Sequence, residues 1–299
     1  MTHPRCFPTI ALSRLPRALF TMLLLVALAG CVTRPGANEL GPEPPPPAIR
    51  KCCSNVERYP DWLVAVLDPI APAIGRFVAA VEWRDGHLNA RDGAVQLLKQ
   101  HLQPLDIVLV TSAGRLTNAT LPGLFKHSAI YLGSEADMRR LGVWSDAVAR
   151  AQAQGILAGK RFIEADQNGV HLSSTETVLN VDYLLVLRPA LGSRVERRRA
   201  MRFLLGAVGQ PFDFRFDADT ADCVYCSELV RRAFPGLPVE ARHIYGRHVF
   251  VPDQFADLAA SRPSLLRPVF YLVGDRDGWE RRSPARLRGD LERYWAAQP

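Results

Sequence analysis

From Pro104 onward the chain changes texture, and that change limits what it can fold into. LDIVLV (105–110), HSAIYLG (127–133), RFIEA (161–165), DYLLVLRP (182–189) and RPVFYLV (267–273) are short β-branched and aromatic runs bounded by Gly, Pro, Asn and Asp. Such runs read as strands. Between them RVERRRAMRFLLGAVG (194–209) carries Val195, Met201, Leu204, Leu205 and Val208 at helical spacing with basic residues opposite, and Gly209 ends it. PFDFRF reads as extended, the stretch around Cys226 as a helix that stops before Pro235, and VPDQFADLAAS as a helix opened by Pro252. Strands in a group with helices mostly outside it point to the α+β class, with residues 103–275 as one domain.

What precedes Pro104 is of another kind. Residues 1–30 hold Arg5, Arg14 and Arg17, then an uncharged run from 18 to 30 ending in small residues before Cys31. That is the layout of a secretory leader, and the run is shorter than the ~20 apolar residues a span needs. LAGC (28–31) further resembles a bacterial lipobox, which implies that Cys31 becomes the lipidated first residue; Val32 after it implies an outer-membrane destination facing the periplasm. Residues 31–58 then read as the lipidated cysteine and a Pro-rich tether. Loss of the leader leaves 34 basic against 30 acidic residues. So modest an excess gives no case for nucleic acid as a partner.

Residues 59–102 read as a helical lead-in. Trp62, Leu63, Val66 and Leu67, then Ile70, Ile74, Phe77, Val78 and Val81, recur at helical spacing, and Pro69 and Pro72 divide the stretch into two pieces. A face packed on the core is the expected reading, with a helix lying on the membrane as the alternative. GAVQLLKQHL (93–102) is a further helix, and residues 276–299 are expected to form a helical tail.

The chemistry centres on ADCVYCSELVRRAF (221–234). Cys226, Leu229, Val230 and Ala233 fall at i, i+3, i+4 and i+7, placing Cys226 on a buried face in the first turn of a helix, with Asp219, Thr220 and Asp222 as candidate caps. A cysteine there is favoured as thiolate by the unpaired N–H groups and the helix dipole. It needs a base and an orienter for that base. His127, at the head of HSAIYLG, is the best-placed base; Glu164 in RFIEA is placed to accept the other ring N–H. His87 and His101 lie in the lead-in, and His171, His243 and His248 fall in stretches that read as loops. Two other readings of the CxxC stay open. Cys223 is a candidate thiol partner of Cys226, shielding it as a disulfide in an oxidising compartment. Zinc would need two further ligands, which Cys52 and Cys53 supply only if the lead-in folds back.

KHSAIYLG, FIEADQNGV, PFDF, YCSELV and VPDQFADL together, in this order, resemble the YiiX/YebB-like cysteine hydrolases, permuted relatives of the NlpC-type cell-wall peptidases within the papain-like fold. The resemblance covers roughly residues 103–273. It implies a circularly permuted papain-like domain behind an N-terminal helical extension, with Cys226 as nucleophile, His127 as base and Glu164 as third polar member, and neither cofactor nor metal. Two positions depart from the pattern: Leu105 stands where the family usually has Gly, and Phe212 where many members carry Tyr.

The expectation is a lipid-anchored periplasmic cysteine hydrolase that cleaves an amide, in a peptide, the cell wall or a lipid, or an ester, through a thioester. The alternatives are an acyltransferase using the same thioester, and an envelope lipoprotein that binds without catalysis and keeps a structural or redox CxxC.

Overall fold

The computed structural model describes residues 52–53, 60–89, 91–117 and 122–298. The leader, Cys31 and most of the Pro-rich tether lie outside the described residues. The first elements are α1 (Asp61–Leu67), a 3-10 turn (Asp68–Ile70) and α2 (Ala71–Ala80). Pro69 and Pro72 each sit in the first positions of the piece they open, where the missing N–H costs nothing, so the apolar run bends rather than continuing as one rod. α3 (Asp92–His101) follows and buries Ala94 and Leu98.

A seven-stranded sheet organises the rest. Its strands are β1 (Ile107–Thr111), β2 (His127–Tyr131), β3 (Phe162–Asp166), β4 (Gly169–Ser173), β5 (Tyr183–Pro189), β8 (Leu266–Gly274) and β9 (Trp279–Arg282), in the order β4-β3-β2-β1-β5-β8-β9. Every neighbouring pair is antiparallel. β1 is buried along its whole length because both faces of the sheet are covered there, which explains its unbroken apolar run. On one face Ile107, Leu109, Ile130, Ile163 and Leu185 meet Met201 and Leu204 of α7 (Arg194–Ala207), Leu229 and Val230 of α8 (Cys226–Ala233) and Phe255 of α9 (Pro252–Ser261). On the other, Val108, Val110, Ala129 and Val186 meet Ala94 and Leu98 of α3. Helices outside a grouped sheet are the α+β arrangement expected from the sequence.

Several local expectations change. Residues 276–299 are not helical throughout: Trp279–Arg282 adds a strand to the sheet edge, and helix α10 begins only at Pro284 and runs to Ala296. PFDFRF is extended only at Phe212, which makes a one-residue bridge to Val224; the buried Asp213 carboxylate then accepts from the N–H groups of Arg215 (2.8 Å) and Asp217 (2.6 Å) and folds the rest into a turn. His171 is on β4, and His243 and His248 lie in a hairpin of β6 (Arg242–Ile244) and β7 (Arg247–Val249). α4 (Glu135–Leu141), α5 (Ala147–Leu157) and α6 (Thr175–Leu179) complete the described elements. The core-packing expectation for α1 and α2 fails, since α2 buries no residue and Trp62, Val66 and Phe77 stand exposed.

Candidate active site

α8 starts at Cys226 with Tyr225 as its N-cap residue, and no side chain caps it. Asp219, Thr220 and Asp222, expected as caps, stand too far before the helix start; the Thr220 hydroxyl instead donates to the Asp217 carbonyl at 2.9 Å. Tyr225 is fixed by its own hydroxyl, which accepts the Phe250 N–H at 2.7 Å. The N–H groups of the first turn are thus left pointing past Cys226 toward whatever lies beyond the helix end.

α8 packs on β2 and β3, which brings Cys226 to the first residue of β2, His127. The register pairs Ala129 with Glu164, so Glu164 lies on the face of His127 and one diagonal away. The Glu164 carboxylate accepts from His127 Nε2 at 2.7 Å. That bond leaves Nδ1 to face the sulfur, and each of the two groups favours the other's charged form. Ser128, whose side chain alternates to the face covered by α8, lies near enough to the same sulfur to favour its charge, although its buried hydroxyl makes no hydrogen bond of ordinary geometry. The structure therefore brings together the three residues singled out from the sequence.

Burial disfavours charge on all three groups, but their mutual interactions win. Burial raises the Cys226 thiol, yet the charge of His127 first, and then polar influences of His127 and of the Ser128 N–H and hydroxyl, hold it below its ordinary value. Burial lowers His127, but Cys226 and then Glu164 raise it well above the usual imidazole range. Glu164, despite burial, is pulled down to about 2 by its bonds to His127 and Ser173 and by the charges of His127 and His171. Both shifts act in the direction of a thiolate beside an imidazolium, the charge pattern that suits nucleophilic attack.

Sequence reading missed the outer part of the site. Ser173 donates to the second oxygen of Glu164, and His171, directly across the ladder from Glu164, places Nε2 at 3.7 Å from it. The signal was present: Asn168-Gly169 after one short strand and before the alternating VHLS marks a hairpin. Asp253, in VPDQF, was also passed over. Fully buried, it accepts from the N–H groups of Leu124 (2.6 Å) and Phe125 (2.7 Å) and from Trp295 Nε1 (2.7 Å), clamping the chain that leads into His127.

The neighbouring cysteines behave differently. Cys226 is a free thiol, so no Cys223–Cys226 bond is formed in this structure. Cys223 is buried with its sulfur 3.4 Å from the Thr220 hydroxyl. Cys52 and Cys53 do fold back, onto the cluster that holds Tyr225 and Trp295, but among the described residues no group of three or more His, Cys, Asp or Glu is placed to hold a metal.

A model of the permuted papain-like amidase enzymes of the YaeF/YiiX, C92 family matches residues 101–279. The chain belongs to that family. It is accordingly a cysteine hydrolase of the amidase and peptidase kind on a permuted papain-like fold. The permutation is visible in the element order, since the strand carrying His127 precedes the helix carrying Cys226. No curated protein and no solved structure matches the chain.

Phe212, the departure from the Tyr of many members, is half-buried and sits edge-to-face with Phe214 (5.0 Å) and Phe216 (5.7 Å). Leu105, the other departure, is buried at φ 77, a backbone region that favours glycine.

Proposed function

We propose that this amidase-family enzyme cleaves its substrate with Cys226 as nucleophile, His127 as proton carrier and Glu164 as the group that orients the imidazole. One observation carries the reading: a buried carboxylate holds His127 Nε2 at 2.7 Å, and the same imidazole stands close enough to Cys226 that each favours the other's charge. The Cys226 thiolate adds to the carbonyl carbon of an amide or ester. A C–S bond forms while the carbonyl π pair moves to oxygen, where the unpaired N–H groups at the start of α8 receive the charge. The pair then returns, the bond to the leaving group breaks, and His127 gives that group its proton. Water attacks the thioester, His127 takes a proton from it, the C–S bond breaks, and the acid product leaves Cys226 as thiolate beside imidazolium. Glu164 holds Nε2 throughout, so Nδ1 stays on the reacting side.

The substrate class is an amide of a peptide, cell-wall stem or lipid, or the corresponding ester. The leader pattern and LAGC at 28–31 support a chain lipidated at Cys31 and held on the periplasmic face of the outer membrane. The testing experiment is iodoacetamide labelling from pH 4 to 9 with each cysteine read by peptide mass spectrometry, beside turnover of peptide and acyl amides. Fast labelling confined to Cys226, with a midpoint well below the ~8.5 of a free thiol, supports the reading. Slow labelling with an ordinary thiol midpoint, together with unchanged turnover in Cys226→Ala, overturns it.

A further inference from the structure

The apolar face of α1 and α2 plays no part in that chemistry, yet it is large and bare. Trp62 is 66% exposed, Val66 58% and Phe77 54%, with Ile74 on the same pair of helices and Trp83 (54%) just beyond them. The helices are nonetheless fastened to the domain. Asp68, between them, is paired with Arg247 and lies 3.3 Å from Arg215 Nε. Gly75 admits the Phe214 ring so closely that a Cβ there would lie 2.4 Å from its edge. After α2 the chain pairs with the segment that follows β1: Glu82 bridges to Arg115, and the Trp83 N–H donates to the Gly114 carbonyl at 2.9 Å.

These fastenings converge on the end of the sheet that carries the site. The segment around Gly114 leaves β1 where Val110 pairs with His127. Phe214 belongs to the turn joined through the Phe212–Val224 bridge to the start of α8. By length and composition the run Trp62–Ala80 would suffice to cross a membrane. It does not do so here: two prolines break it, and Asp68 at its middle is tied to arginines of the domain.

We propose that this face docks on the surface of a phospholipid bilayer, Trp62, Val66, Ile74 and Phe77 entering the boundary between headgroups and acyl chains, with the Cys226–His127 end of the domain held beside the membrane. The choice of occupant rests on the lipid-anchor reading of Cys31. Twenty residues separate Cys31 from Cys52, which is already packed on the domain, a span of at most ~70 Å when extended, so an anchored domain is always within reach of the bilayer. Aromatic and aliphatic side chains on a surface helix are what the interfacial region takes up. The docked face gives one orientation to a domain that the tether alone would leave unoriented.

The test places the mature chain on vesicles of phosphatidylethanolamine and phosphatidylglycerol whose acyl chains carry bromine near the headgroup, and reads tryptophan quenching. Docking predicts clear quenching that falls at least twofold in Trp62→Phe, which removes the reporter, and again in Val66→Ser/Phe77→Ser, which keeps the reporter and removes the contact. An unchanged rate of Cys226 alkylation in these variants shows that the domain is still folded. Flotation of wild type against Cys31→Ala reads the anchor separately. Flotation that depends on Cys31, with no quenching, leaves the anchor standing and overturns docking. Quenching that persists when flotation no longer depends on Cys31 upholds docking and withdraws the anchor. A dimer in lipid-free solution that Phe77→Ser dissolves, without quenching on vesicles, assigns the face to a second copy and overturns the proposal.

Discussion

Glu164 sits opposite Ala129 on the ladder, yet its carboxylate reaches diagonally to His127 Nε2 at 2.7 Å while its other oxygen accepts the Ser173 hydroxyl. The charge of that carboxylate helps to raise His127. Glu164→Gln keeps the shape and removes the charge. We expect turnover to fall by about 10²-fold and the imidazolium to lose its proton at lower pH, so that the alkaline limb of the rate profile moves toward acid. A profile of unchanged shape would show that Glu164 does not act through His127.

Cys226→Ala should remove hydrolysis by at least ~10³-fold while the domain stays folded, because the thiol fills little volume in the core. Its charge is the largest influence raising His127 against the effect of burial. The His127 ring protons in this variant should therefore titrate at lower pH than in wild type, as read by NMR. An unmoved titration would mean that thiolate and imidazolium are not coupled.

Asp253 satisfies three donors from two parts of the chain, and its removal leaves all three without a partner, two of them buried and that of Leu124 partly so. At ~1–3 kcal/mol for each unsatisfied group, partly relieved by water, Asp253→Ala should lose about 3–5 kcal/mol in urea unfolding. Activity should drop further than the folded fraction, because Leu124 and Phe125 lead directly into His127. A loss below ~1 kcal/mol would show that the clamp is dispensable.

Glu228, two residues after Cys226, is buried, with the Arg232 guanidinium 2.5 Å from Oε1 but poorly aligned to it. Burial, only partly offset by Arg232 and reinforced by the Asp213 charge, pushes its carboxyl up to about 8. The folded state then holds the proton more tightly than the unfolded chain. Its stabilising contribution is full below the ordinary value of 4.5 and is lost as pH rises through about 8. Glu228→Gln should flatten this decline, raising the melting temperature relative to wild type above pH 8 more than at pH 6. Parallel curves for the two proteins would refute the assignment.

Leu105 sets two effects against each other. Its φ of 77 costs roughly 1–2 kcal/mol for a side chain with a Cβ. Its fully buried side chain contributes ~2–5 kcal/mol, counting the cavity its loss would leave. Packing is the larger, so Leu105→Gly should destabilise by ~1–3 kcal/mol although it restores the residue usual in the family. A melting temperature equal to or above that of wild type would show that backbone strain dominates.

Much of the sheet was legible because buried strands must be apolar. β1, β2, β3, β5 and β8 all appear as short β-branched runs close to their observed limits. β4 and β9 were not: β4, though largely buried, is a short run opened by glycine and interrupted by His171, and the exposed edge strand β9 carries Glu280 and Arg281, which read as loop. The same reason hid half of the candidate site. Ser173 and His171 matter only through the ladder that brings them to Glu164, and no local pattern records which strand a carboxylate will face.

The sequence by itself determined the class of chain, the helical start at Cys226, and the pairing of a cysteine helix with a histidine strand, because those follow from local periodicity and from short motifs in a particular order. Only the tertiary structure decided the diagonal that joins His127 to Glu164, the clamp of Asp253 on residues 124–125, and the bareness of α1 and α2. Apolar residues at helical spacing say that a face wants to leave water. Whether a core or another surface receives it depends on residues far along the chain, and here Arg215, Arg247 and Phe214 fasten the polar side and leave the apolar one outward.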